Sequence, residues 1–129
     1  MDEFKRNYTI EQLKIHVTND ASTDRTYVVF STLMETQYYS PGVKTSIDDK
    51  NNMFIEFVRA EIRDKNPQID LKAEYLVKWI QDNKPSKATQ EKLMEHSTSA
   101  DQIFFIPGKI ENIYVTNLET KTKIWEKSK

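Results

Sequence analysis

Cysteine is absent from the 129 residues. That excludes disulfide staples, thiol catalysis, thiolate zinc sites and iron–sulfur clusters together. Glycine is nearly absent: the sequence holds two, Gly42 and Gly108, each beside a proline. A phosphate-cradling loop needs several glycines so that backbone amides can approach the ligand, so P-loop and Rossmann nucleotide sites are excluded. Long apolar runs are missing as well. None approaches the ~18 residues of a membrane-spanning helix. No apolar segment follows Met1-Asp2-Glu3-Phe4-Lys5-Arg6, so no signal peptide is expected. These absences predict no membrane partner and a cytoplasmic protein, or one acting in host cytoplasm if viral. An excess of either charge is also lacking: 19 basic and 20 acidic residues leave a net charge of −1. The average field therefore neither draws in nucleic acid nor mimics it.

What the chain does have is aromatic surface. Six Phe, six Tyr and two Trp supply enough buriable area for a folded domain. At this length one domain over residues 1–129 is expected, with residues 1–8 frayed.

Ser46 to Lys84 reads as two amphipathic helices broken at Pro67. Ser46 with Asp49 three residues on makes a capping box. Phe54, Phe57, Val58 and Ile62 then recur on one face of a 3.6-residue period, with Met53 and Ala60 at its margins. Asp70 is the next cap, Leu71, Tyr75, Leu76, Trp79 and Ile80 the second stripe, and Lys84-Pro85 the stop.

Elsewhere β patterns dominate. Leu13, Ile15 and Val17 alternate with polar residues, although Thr9 and Gln12 also permit a helical turn. Asn19-Asp20-Ala21-Ser22-Thr23-Asp24 reads as a turn, followed by a strand from Tyr27 to Leu33. Ser86 opens a third, weaker helix whose large apolar residues are Leu93 and Met94. Ile103-Phe104-Phe105-Ile106 is a buried strand ended by Pro107-Gly108. Ile110 to Thr116 and Thr120 to Trp125 form a last hairpin turning near Asn117-Leu118-Glu119. Strands at both ends with helices between predict an α+β fold. Its mainly antiparallel sheet joins the N-terminal hairpin to the C-terminal strands, with two to three central helices packed on one face.

Motifs with a chemical meaning are short. His16 and His96 have no i, i+4 histidine partner and read as solvent-facing. Asp70-Leu71-Lys72 and Glu119-Thr120-Lys121 match the acid-x-Lys half of a metal-dependent nuclease site, without the second acidic strand that holds Mg²⁺. Ile113-Tyr114-Val115-Thr116-Asn117-Leu118 resembles the first-strand motif of RNA-recognition-motif domains, in which the strand aromatic stacks a base. Eleven residues follow it and the second aromatic motif is missing, so a hairpin strand is the better reading. Phe54, Phe57, Arg59, Asn66-Pro67 and Trp79 fall in an order similar to that of HMG boxes, which bend DNA with a basic three-helix L. This region is charge-neutral, and helix packing explains the same residues.

No catalytic residue, cofactor or metal site is expected. The leading expectation is a non-enzymatic protein-binding module, anchored by Tyr38, Tyr39 and Trp125. Its small, lysine- and asparagine-rich composition suits a phage, virus or mobile element whose product blocks a host factor. The alternative is nucleic-acid binding through Tyr114, Lys121, Lys123 and Trp125 on the last hairpin. A metal-dependent nuclease is the third reading, and self-association is compatible with each.

Overall fold

The computed structural model describes residues 7–33, 35–95, 97, 98, 100–117 and 120–127. It is an α+β fold, richer in sheet and poorer in helix than expected. After a single 3-10 turn at Ile10–Gln12, the strands are β1 (Leu13–Asp20), β2 (Arg25–Thr32), β3 (Tyr38–Tyr39), β4 (Gly42–Ile47), β5 (Asn52–Phe57), β6 (Ala60–Glu61), β7 (Leu71–Lys72) and β8 (Glu74–Tyr75). Helices α1 (Leu76–Asn83) and α2 (Lys87–Met94) follow, then β9 (Gln102–Pro107), β10 (Asn112–Asn117) and β11 (Thr120–Glu126).

Both readings of the N-terminal stretch hold, one after the other. The Thr9 amide donates to Gln12 Oε1 at 2.9 Å and closes the short turn. The alternating residues then run as β1, paired with β2 from Leu13↔Thr32 to Asp20↔Arg25. Asn7 and Tyr8 lie beside the end of β5. Asn7 bridges to Val58, and the Tyr8 amide donates to the Phe57 carbonyl with its ring fully buried. Residues 1–6 lie outside the described residues.

The first expected helix is a correction. Residues 46–66 form the end of β4, a turn, β5, β6 and a loop. The spacing of Phe54, Phe57 and Val58 satisfied a helical period, but Met53, Ile55 and Phe57 satisfy a period of two as well, and these three are buried. The local chemistry of Asp48-Asp49-Lys50-Asn51 decides between them. Asp48 Oδ1 accepts from the amides of Lys50 at 2.9 Å and Asn52 at 3.0 Å, and Asn51 takes a left-handed φ of 64°. That is an Asx-type hairpin turn, which a helix cannot accommodate.

The second expected helix is shortened. It starts at Leu76, five residues late, because Leu71 and Lys72 pair with β4 and Glu74 and Tyr75 pair with β9. Asp70 caps no helix: its Oδ2 accepts from the Thr45 amide at 2.8 Å. Lys84 ends α1 as predicted, in a left-handed conformation with φ 48°. The Ser86 helix is also present, its hydroxyl accepting from the Thr89 amide at 3.2 Å. There are thus two helices, of eight residues each, among the described residues.

Two sheets lie face to face. One has the order β1-β2-β9-β8, the other β11-β10-β5-β4-β7, and β3 pairs with β6 as a separate ribbon. Pairing is antiparallel except between β5 and β10. Val28, Phe30, Phe104 and Ile106 from the first sheet meet Val43, Ile55, Phe57, Ile113 and Val115 from the second in the main core. The alternate residues of the first sheet, Tyr27, Val29 and Ile103, face the other way and pack with Leu76, Trp79 and Leu93 from the helices. The layers are therefore helices, four-stranded sheet, five-stranded sheet. No described helix is long and apolar enough to cross a membrane.

Candidate functional site

An open groove lies where both sheets end in two-residue edge strands, β7 and β8. The chain between them, Lys72 to Tyr75, forms one wall of a groove of about 530 Å³. Tyr38 to Pro41 form another, and Leu33, Pro67, Ile69 and Gln102 are among the other lining residues. The volume is in the range of sites that hold small molecules or a few side chains.

Tyr38 and Tyr39 are neighbours on β3 and point differently, as adjacent residues of a strand must. Tyr38 is half-buried, its ring under the Arg59 guanidinium at 3.8 Å from the centroid. Arg59 Nε also donates to Glu35 Oε1 and Oε2 at 3.0 and 3.1 Å, and its Nη2 pairs with the same carboxylate. This hydrogen bonding holds the Glu35 carboxyl below the usual carboxylate range, against the opposing effect of burial. Tyr8 completes the cluster with a hydroxyl donated to Glu35 at 3.3 Å. Burial pushes the Tyr8 phenol up to about 12. Tyr38 is therefore a fixed wall, whereas Tyr39 is 38% exposed.

Two further groups give the groove its chemistry. Tyr75, the last residue of β8 and the N-cap of α1, is 61% exposed, whereas the next residue, Leu76, is buried in the core. Ser40 is 3% exposed and lines the groove, yet its hydroxyl has no hydrogen-bond partner among the described residues. Its carbonyl is occupied, accepting from Gln102 Nε2 at 2.8 Å. A buried hydroxyl without a partner costs about 1–3 kcal/mol. Lys72, Glu74 and Lys78 stand around this apolar floor, with Lys78 Nζ paired to Asp82 at 2.9 Å.

Trp125 is not part of this groove. It sits on β11, the edge opposite β7, and packs half-buried against the main core. Nor does it join Tyr114. A register shift between Ile113 and Tyr114 sets Trp125 opposite the inward-facing Ile113, while Lys123 stands opposite Tyr114 and Lys121 opposite Thr116. Tyr114, Lys121 and Lys123 do come together, on the outward face, around Phe54, a residue the helical reading had buried.

The other candidates are dispersed. His16 Nε2 is 3.3 Å from Thr18 Oγ1 on half-buried β1, and His96 and Glu119 lie outside the described residues. Among the described residues, no three or more His, Asp or Glu side chains are grouped to hold a metal.

Sequence reasoning missed Ser40, Leu33, Gln102 and Tyr75 as groove residues. Ser40 reads as a turn residue and Tyr75 as part of a helical stripe. Long-range pairings bring them together, Gln102 with Ser40 by a side-chain hydrogen bond and with Tyr75 across β8 and β9, and so short a strand as β8 leaves no period to detect. No family model, curated protein or solved structure matches this chain.

Proposed function

We propose that this chain is a small non-enzymatic protein-binding module that takes a segment of a partner protein into the groove between β3 and β8. The observation that carries the reading is the convergence of three exposed large apolar side chains, Leu33, Tyr39 and Tyr75, on the lining of one groove. Tyrosine brings a large contact area with few torsions to immobilise, which is why it anchors interfaces. The Tyr8–Glu35–Arg59–Tyr38 cluster keeps one wall rigid, so less ordering accompanies binding. In a phage, virus or mobile element, the partner segment would belong to a host factor that the module blocks.

A displayed random-peptide library panned against the folded protein tests this. The expected result is enriched peptides that bind the wild type in solution and lose at least tenfold in affinity on Y39A or Y75A. Absence of enrichment, or peptides that bind both variants like the wild type, overturns the reading.

A further inference from the structure

We propose that the outward face of the five-stranded sheet is a stacking platform for single-stranded nucleic acid, built on Phe54 and Tyr114. The two residues are register partners across the parallel β5–β10 pair. Their rings stack with centroids 5.2 Å apart at an interplanar angle of 21°. Lys121 Nζ lies 4.5 Å from the Phe54 centroid, and Lys123 Nζ lies 5.9 Å from that of Tyr114. Both described helices pack against the other sheet, so neither covers this face.

The surroundings favour this ligand over an apolar protein surface. Ser46, Asn52, Asn112 and Thr116 flank the rings in register, and the Asn112 amide donates to Asn52 Oδ1 at 2.8 Å. Each ring turns one face to the other and carries a lysine ammonium, so a base stacks on the pair by displacing an ammonium, which then pairs with a phosphate. Lys44 adds a third cation on the same face, beside Glu56. Among the described residues, the carboxylates at this face are engaged: Glu56 accepts from Asn7 Nδ2 at 3.3 Å, Asp48 accepts from Asn52 Nδ2 at 2.9 Å, and Glu126 pairs with Lys123 at 3.2 Å. An exposed ion pair of this kind is weak enough for a phosphate to displace. A duplex hides its base faces, so the platform selects single strands. With a chain charge of −1, binding is modest and salt-sensitive.

The test is fluorescence anisotropy with a labelled homothymidine oligonucleotide and a duplex of equal length. The probes are titrated with wild type, Y114L, a K121S/K123S double variant and Y75A, each with its melting temperature recorded. The single strand should bind more tightly than the duplex. Y114L should weaken binding by about tenfold, as loss of one stacked base does. The lysine variant should flatten the dependence of log affinity on log salt by about 1.4, for two phosphates on a single strand. Y75A should bind like the wild type, because the groove is a separate site. Absence of binding at low salt, equal affinity for duplex, or a Y114L variant that stays folded and binds undiminished each overturns the proposal. So does a protein partner that occupies this face when the oligonucleotide does not.

Discussion

Thr89, in the first turn of α2, donates its hydroxyl to Asp20 at the end of β1 across a buried 2.6 Å hydrogen bond. The same carboxylate accepts from the Ser22 hydroxyl at 2.6 Å and the Ser22 amide at 3.0 Å. One side chain thus shapes the β1–β2 turn and pins α2 to it. The Ser22 and Thr89 hydroxyls hold the Asp20 carboxyl below its ordinary range. T89V keeps the shape of the side chain and leaves a buried carboxylate short of a donor, so it should destabilise the fold by about 1–3 kcal/mol in urea unfolding.

The same contact sets an acid limb. A carboxyl held below its unfolded value of ~3.9 contributes stability that is fully present above that value. The contribution is lost as pH falls through the lower folded value. Urea midpoints measured from neutral pH downward should therefore fall in acid, and D20N should flatten that fall while lowering the neutral plateau. A wild-type and D20N pair with parallel acid limbs would contradict the assignment.

Tyr8 predicts the opposite limb. Its buried phenol, with a pKa of about 12, favours the protonated form in the folded state. The stability this gives is fully present below the ordinary tyrosine value of ~10 and is lost as pH rises through the folded value. A spectrophotometric titration should show one tyrosine ionising last, together with unfolding. Y8F should forfeit the Glu35 hydrogen bond, about 1 kcal/mol near neutrality, and move the alkaline transition upward.

Gly42 is where a side chain cannot be added. A Cβ there would overlap the Leu71 carbonyl oxygen, so G42A must push β7 off β4. Forced overpacking of this kind costs about 1–3 kcal/mol. Because β7 carries the Lys72 end of the groove, G42A should also raise the amide-exchange rates of residues 70–73. Unchanged exchange in this segment would show that the edge pairing does not depend on the glycine.

How much of this could be read from residues alone is a matter of period and turn chemistry. Leu13-Ile15-Val17, Tyr27 to Leu33 and Ile103 to Ile106 predict strands, and β1, β2 and β9 lie there, because alternation in the first and short β-prone runs in the other two met no sustained helical spacing. At Met53 to Val58 two periods were satisfied at once, and the helical one was the wrong choice. Asp48 and Asn51 carried the deciding signal as turn formers, but Ser46 and Asp49 also fit a helix cap. Of the site, Tyr38 and Tyr39 were legible as aromatics beside a Pro-Gly break. Ser40 and Tyr75 were not, since their roles arise from pairings made across 62 residues by Ser40 with Gln102 and by β8 with β9. The separation of Trp125 from Tyr114 follows from one register shift that no composition shows.

The tyrosines of the groove should divide by role. Y39A and Y75A remove exposed rings and should change stability by no more than about 0.5 kcal/mol. Y38A removes the ring beneath Arg59 and should destabilise the wall as well as weaken binding. Thermal melts of the three variants check this. Equal loss in all three would mean that the rings are structural.

Site-specific photocrosslinking tests the binding groove most directly. A benzophenone amino acid is placed at position 75 in the groove, and in a second protein at position 105, an exposed aromatic on the helix side of β9. In cells producing the protein, irradiation should give one discrete heteromeric adduct from position 75, suppressed by Y39A, and none from position 105. No adduct from position 75, or the same adduct from both positions, would contradict a groove that holds a partner segment.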